Sequence, residues 1–219
     1  MTVDLRLYAL IDPAVAGGRS LGDIAKRIAG SATLVQLRDK HGSTRQLVEE
    51  ARELTMVLAP LDIPLLINDR VDVALAAEAD GVHIGQDDMS PADARLLLGR
   101  TAIIGLSVKT VEQARAAPLE LLDYVGIGGV YGTTSKEDAK APIGLSGFSA
   151  VAQAIRARDP KFPICGIAGI NQSNAADVIM QGADGVAVIS ALSMAGDPTV
   201  AARDLLSEVD GALARRSRV

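Results

Sequence analysis

From one end of the chain to the other, short apolar runs alternate with longer stretches in which apolar residues recur at helical spacing. The runs predict strands over Leu5–Ile11, Thr33–Arg38, Leu65–Asn68, Gly81–Ile84, Ala102–Val108, Tyr124–Val130, Ile164–Ala168 and Gly185–Ile189. Between and after them the pattern predicts helices over Ser20–Ala29, Ser43–Ala59, Arg70–Ala77, Ser90–Leu98, Thr110–Ala116, Ser146–Ala157, Asn171–Met180 and Thr199–Ala214. Ser43, Ser90, Thr110, Asn171 and Thr199 each stand where a side-chain oxygen can cap a first helical turn. Most strands are continuous apolar runs without polar alternation, as expected of a parallel sheet covered on both faces. Eight such units in 219 residues match an α/β fold of eight parallel strands and outer helices, the (β/α)8 or TIM barrel, with 1–219 as one domain. A doubly wound open sheet is the alternative. It usually carries a glycine-rich phosphate loop after its first strand, where this chain has Ile11-Asp12-Pro13-Ala14.

Composition narrows the function. Hydrophobic residues make up 48%, which suits a large core, while the net charge of −5 offers no basic field for capturing nucleic acid. Aromatic residues, at 2%, leave few platforms for stacking bases. Cys165 is the sole cysteine, so no intramolecular disulfide can form, and within Pro163-Ile164-Cys165-Gly166-Ile167 it reads as a small buried apolar residue. The N-terminus lacks the layout of a signal peptide, and no run reaches the roughly 18 apolar residues of a membrane span. The expectation is a soluble cytoplasmic protein with small-molecule partners, no nucleic acid and no membrane. A homo-oligomer is left open.

A barrel keeps its active site at the C-terminal ends of its strands, which turns the strand list into a site map. Gln36, Arg38 and Lys40 share one face of the second strand and its extension. Two cations and an amide there read either as a solvated strand end or as a site for a multiply charged anion. The third strand ends in Asn68-Asp69, the fourth runs into Gly85-Gln86-Asp87-Asp88, and the fifth carries Ser107 and then Lys109. Asp69 and Asp88 leave adjacent strands, so their carboxylates can converge and would then require a proton or cation between them. Hard oxygen ligands without His or Cys favour Mg²⁺, completed by phosphate oxygens. Taken singly, each aspartate reads better as a helix cap. Beside Arg38, Lys40 and Lys136, the pair reads as a Mg–diphosphate site.

A second anion site lies apart from the first. Gly166-Ile167-Ala168-Gly169 and Val188-Ile189-Ser190-Ala191 follow the seventh and eighth strands with backbone N–H groups open to a monophosphate. The polar loop Gly132-Thr133-Thr134-Ser135-Lys136-Glu137-Asp138 can close over ligands. His83 lies inside a strand and reads as packed behind the site, and His41 as exposed. No Ser–His–Asp or Cys–His set is evident.

As an ordered set, Gln36-Leu37-Arg38-Asp39-Lys40, Asn68-Asp69, Gly81-Val82-His83-Ile84-Gly85-Gln86-Asp87-Asp88, Gly105-Leu106-Ser107, Thr133-Thr134-Ser135-Lys136, Gly166-Ile167-Ala168-Gly169 and Val188-Ile189-Ser190 resemble the thiamine phosphate synthases, over nearly the whole chain. The resemblance implies a transferase that joins a hydroxymethylpyrimidine diphosphate to a thiazole monophosphate, or its carboxylated form. It implies that Gln36, Arg38, Lys40, Asn68, Ser107 and Lys136 hold the pyrimidine diphosphate, and that Asp69 and Asp88 ligate Mg²⁺. Thr133, Ser135, Gly169, Ile189 and Ser190 then contact the thiazole phosphate, with Asp39 and Thr134 counted among the substrate-binding residues. Arg38, Lys40, Ser107 and Lys136 are the implied catalytic groups of a dissociative substitution that needs no strong base. The chain departs from the family where many members carry prolines, at Gly129 and Gly132, and at Ser135, where a second threonine is usual. Two rivals share the barrel: the related aminopyrimidine aromatase, an isomerase without need of a Mg–diphosphate site, and a non-catalytic barrel that senses thiamine precursors.

Overall fold

The computed structural model describes residues 3–133 and 141–218. Eight parallel strands close a barrel in chain order: β1 (Leu7–Ile11), β2 (Leu34–Leu37), β3 (Leu65–Asn68), β4 (Gly81–Ile84), β5 (Ile103–Val108), β6 (Tyr124–Gly128), β7 (Ile164–Ile167) and β8 (Gly185–Val188). Around them run α1 (Leu21–Ile28), α2 (Thr44–Leu58), α3 (Val71–Ala77), α4 (Pro91–Leu98), α5 (Val111–Ala116), α6 (Gly144–Arg156), α7 (Ala175–Met180), α8 (Ser190–Ser193) and α9 (Pro198–Arg216). The expected (β/α)8 barrel is the fold observed. Helix α8 had no sequence signal, because its four residues are too few to show a period.

Ser43, Ser90 and Thr110 cap α2, α4 and α5 as expected, each accepting a backbone N–H from three residues on. Two expected caps are corrected. Asn174, not Asn171, precedes α7, and Asn171 instead accepts the Ser173 N–H at 2.8 Å within the loop. Asp197, not Thr199, caps α9, accepting the Thr199 N–H at 2.9 Å. In both cases a second oxygen-bearing side chain a few residues away competes for the same donors.

The strands look uniformly apolar because their residues divide by parity between two cores. Tyr8 and Leu10, Leu34, Leu66, Tyr124, Cys165 and Ile167, and Ala187 point into the barrel and pack on one another. Their neighbours, among them Leu7, Ala9, Ile11, Val35, Leu37, Ile67 and Val125, pack outward against the helices. Glycine makes room where the interior is most crowded. A Cβ at Gly105 would sit 2.1 Å from Tyr124 Cζ, and one at Gly126 would sit 2.4 Å from Ile167 Cδ1.

The lower end is pinned by a repeated device. Thr33, Asp80, Asp123 and Asp184 each stand just before an even strand and accept a backbone N–H from the neighbouring odd strand. The donors are Leu7 at 3.0 Å, Leu65 at 2.8 Å, Ile104 at 2.8 Å and Ile164 at 3.0 Å. Arg95 of α4 and Arg156 of α6 tie Asp123 and Asp184 to the helical shell. These bonds fix register from below, so residues two apart along each strand reach the upper rim on the same face.

Candidate active site

Gln36 continues the inward parity of Leu34 and is 1% exposed. Its Nε2 donates to the Tyr8 hydroxyl, while its Oε1 is buried with no partner among the described residues. Arg38, just past β2, forms a buried ion pair with Asp12, just past β1. The other oxygen of Asp12 accepts the Ala14 N–H at 2.9 Å. Lys40 reaches Asp69 with an ion pair and remains about half exposed. Asp39 Oδ1 accepts the N–H groups of His41 and Gly42, at 2.8 and 2.9 Å, so it shapes the loop that carries Lys40.

Asp69 sits in the left-handed region at φ 61°, a conformation that aspartate tolerates better than most residues. Its N–H donates to the His83 carbonyl at 2.8 Å, and this bond turns the side chain over the end of β4. Burial raises its carboxyl pKa above the ordinary range; Lys40 opposes that shift, and the hydrogen-bonded Asp88 carboxylate adds to it. Asp88 also accepts the Gly85 N–H at 2.7 Å. Neither aspartate is a helix cap: Ser90 caps α4, and Arg70 precedes α3 without a side-chain cap. The two carboxylates therefore meet, as their strand positions suggested. Among the described residues no group of three or more acidic, His or Cys ligands gathers, so a cation here must take its other ligands from water or a bound phosphate. That donor set, two hard oxygens with a cationic lysine alongside, fits Mg²⁺.

Ser107 lies on the inward face of β5, half-buried, with its Oγ 2.8 Å from His83 Nε2. His83 Nδ1 is 2.7 Å from the Tyr124 hydroxyl. The Gln86 amide donates to the Ser107 carbonyl at 2.7 Å and so joins the β4 loop to β5. Asn68 ends β3, half-buried beside these groups. His41 is exposed and His83 buried, as expected.

Across the rim, a cavity of about 640 Å³ opens above β7 and β8, lined by Leu10, Thr133, Gly169, Asn171, Ile189 and Ser190 among others. Gly169 has φ +66°, and a Cβ there would lie 2.5 Å from the Gly132 carbonyl oxygen, so the β6 and β7 loops can touch only because it is glycine. Ala168 holds φ 80° without that freedom. Its carbonyl accepts the Tyr131 N–H at 3.2 Å, which helps hold it there. Ser190 opens α8, a single turn closed by the Leu192 and Ser193 N–H groups, which donate to the Ile189 carbonyl at 3.1 and 3.0 Å. Arg19 secures the other end of that turn, donating to the carbonyls of Ser193 at 3.1 Å and Ala195 at 2.8 Å.

Residues 7–192 match the family model for thiamine monophosphate synthase. The chain belongs to that family. It is 50% identical to the thiamine-phosphate synthase of Chloroflexus aurantiacus over 93% of this chain and 92% of that one. It is 46% identical to the Agrobacterium fabrum enzyme of the same name, over 98% of each. The solved thiamine phosphate pyrophosphorylase of Pyrococcus furiosus superposes with a TM-score of 0.84 at 35% identity, covering 97% of this chain and 98% of that one. The chain is accordingly a transferase of the thiamine-phosphate synthase type.

For this synthase, two groups of expected site residues come together in the structure. Gln36, Arg38, Lys40, Asn68, Asp69, Asp88 and Ser107 gather on the β2–β5 side, while Thr133, Gly169, Ile189 and Ser190 line or flank the β7–β8 cavity. Thr134, Ser135 and Lys136 lie outside the described residues. Sequence reasoning gave no role to Asp12, which holds Arg38, to Tyr8 and Tyr124, or to Gln86 and Arg19. A signal existed for the tyrosines: a phenol inside an apolar strand must find a hydrogen-bond partner.

Proposed function

We propose that this synthase joins 4-amino-2-methyl-5-hydroxymethylpyrimidine diphosphate to 4-methyl-5-(2-phosphoethyl)thiazole, giving thiamine phosphate and pyrophosphate. One observation carries the reading: the Asp69–Asp88 pair with Lys40 stands at one side of the rim, and a separate glycine-lined cavity stands at the other. The two substrates need one diphosphate site and one monophosphate site.

In this reading Asp69 and Asp88 hold Mg²⁺, which when bound offsets the negative charge of the departing diphosphate. Arg38 spends one N–H on Asp12 and keeps further guanidinium donors for phosphate oxygens. Lys40 adds a mobile charge, and Lys136 is expected to add another. The C–O bond between the pyrimidine methylene and the diphosphate breaks, with its electron pair leaving on oxygen. The electron-rich aminopyrimidine spreads the resulting positive charge. The thiazole nitrogen lone pair then forms the new C–N bond. No proton need move in these steps, which suits a site whose only inward histidine is buried among hydroxyls. Residues at Gly169 and Ser190 anchor the thiazole phosphate, so that its nitrogen approaches from a fixed direction.

The test supplies both substrates with and without Mg²⁺ and follows pyrophosphate release. Mg-dependent release matched by thiamine phosphate is the expected result. Isomerisation of a thiazole phosphate without any diphosphate substrate would replace the reading by the aromatase one.

A further inference from the structure

Five polar side chains from five strands form one continuous hydrogen-bonded chain across the barrel interior. Gln36 of β2 donates to Tyr8 of β1, whose phenol oxygen lies 2.9 Å from that of Tyr124 on β6. Tyr124 meets His83 Nδ1 of β4 at 2.7 Å, and His83 Nε2 meets Ser107 Oγ of β5 at 2.8 Å. Tyr8 and Tyr124 are fully buried, and His83 is 6% exposed. Burial also pushes both phenol pKa values upward, so both hydroxyls keep their protons.

Each hydroxyl in such a chain carries one proton, and a neutral imidazole carries one N–H, so donation can run through it in only two directions. With Gln36 Nε2 as the donor to Tyr8, the Tyr8 proton goes to Tyr124 and the Tyr124 proton to His83 Nδ1. His83 then carries its proton on Nε2 and gives it to Ser107 Oγ. Were Tyr124 to donate to Tyr8 instead, Tyr8 would accept twice and its own buried proton would be stranded. The first direction leaves two things for a ligand. Gln36 offers its carbonyl oxygen, the atom that is buried without a partner among the described residues. Ser107 offers its hydroxyl proton.

We propose that Tyr8, Tyr124 and His83 are positioning residues that lock Gln36 as an acceptor and Ser107 as a donor, and that this fixed polarity selects a pyrimidine bearing an amine next to a ring nitrogen. Such a ring presents a donor and an acceptor that complement the two ends. The oxo analogue, with a carbonyl in place of the amine and a proton on the ring nitrogen, presents the reverse pair and is rejected. The proposal deepens the pyrimidine diphosphate reading above and rests on it for the ligand's identity. Gly105 serves the same device, since the space beside it is taken by the Tyr124 ring.

The test compares wild type with Tyr124→Phe and Tyr8→Phe, each of which keeps the ring and removes one link. kcat/KM is measured for the aminopyrimidine diphosphate and for its oxo analogue, together with KM for the thiazole phosphate and the thermal midpoint. Loss of amino-over-oxo preference by about tenfold or more in either folded variant, with KM for the thiazole phosphate unchanged, supports the proposal. Unchanged preference in the folded variants overturns it. A second measurement stands independent of turnover. The chain has only two histidines, so ¹⁵N-histidine labelling with a His41→Asn variant for assignment reports the His83 tautomer. A proton on Nε2 in wild type, with the Nδ1 form appearing in Tyr124→Phe, supports the relay, and a proton on Nδ1 in wild type overturns it. If wild type turns over neither pyrimidine, the proposed function fails while the tautomer measurement still decides the relay.

Discussion

Replacing Asp12 by alanine should be among the most damaging single changes that leave the barrel interior untouched. Its side chain is 2% exposed, and its ion-pair partner Arg38 is 10% exposed. One Asp12 oxygen holds the guanidinium, and the other accepts the Ala14 N–H at 2.9 Å. Removal of one member of a buried ion pair leaves the other charged and unpaired, a loss of about 3–5 kcal/mol. The abandoned Ala14 N–H lies nearer solvent and adds at most about 1 kcal/mol. For a barrel of this size about 3–5 kcal/mol corresponds to a fall of roughly 6–20 °C in the thermal midpoint. Urea unfolding of wild type, Asp12→Ala, Arg38→Met and the double variant separates the pair from its parts. The double variant should recover most of the loss, because two apolar side chains impose no uncompensated charge. A loss below about 1 kcal/mol in Asp12→Ala, or a double variant worse than both singles, would refute the claim that burial makes this pair obligatory.

Gly105→Ala drives a methyl to within 2.1 Å of the buried Tyr124 ring and should lose about 1–3 kcal/mol in urea unfolding. Ala168→Gly relieves a left-handed φ of 80° and, after the entropy lost by glycine, should gain about 0.5–1 kcal/mol in the same assay. Gly169→Ala cannot adopt φ +66° against the Gly132 carbonyl without strain, so KM for the thiazole phosphate should rise while KM for the pyrimidine diphosphate holds. Lys40→Ala and Asp88→Ala should each lower turnover about 100-fold or more with thermal midpoints near wild type, and chelation of Mg²⁺ should stop wild-type turnover. Near-normal turnover in both variants would remove the diphosphate site from this side of the rim.

The barrel was legible because its evidence is local. Doubly buried strands read as unbroken apolar runs, and Ser43, Ser90 and Thr110 announce helix starts within three residues of their partners. The caps that failed, at Asn171 and Thr199, failed where two oxygen-bearing residues stand close enough to compete. The rim was legible for a related reason. Arg38, Lys40, Asp69 and Asp88 are charged residues immediately beyond apolar runs, and barrel geometry alone brings such ends together.

The buried half of the site follows a different logic. Asp12 and Arg38 stand 26 residues apart, His83 and Tyr124 41 apart, and Tyr8 and Tyr124 116 apart. No helical or strand period relates positions at those separations. What relates them is closure: β1 pairs with both β2 and β8, and inward parity carries Tyr8, Gln36, His83, Ser107 and Tyr124 into one interior. A polar tip deep in such an interior is costly unless satisfied, so one buried phenol demands another polar side chain on a neighbouring inward face. A tyrosine or histidine within an apolar strand of a closed barrel therefore predicts partners on other strands at the same level. Applied to Tyr8 alone, this rule leads through Tyr124 and His83 to Ser107 at the rim, and through Gln36 to an oxygen with no partner among the described residues. The floor of the site and its ligand-facing edge are then one hydrogen-bonded unit, and a lesion in the floor should be read at the edge.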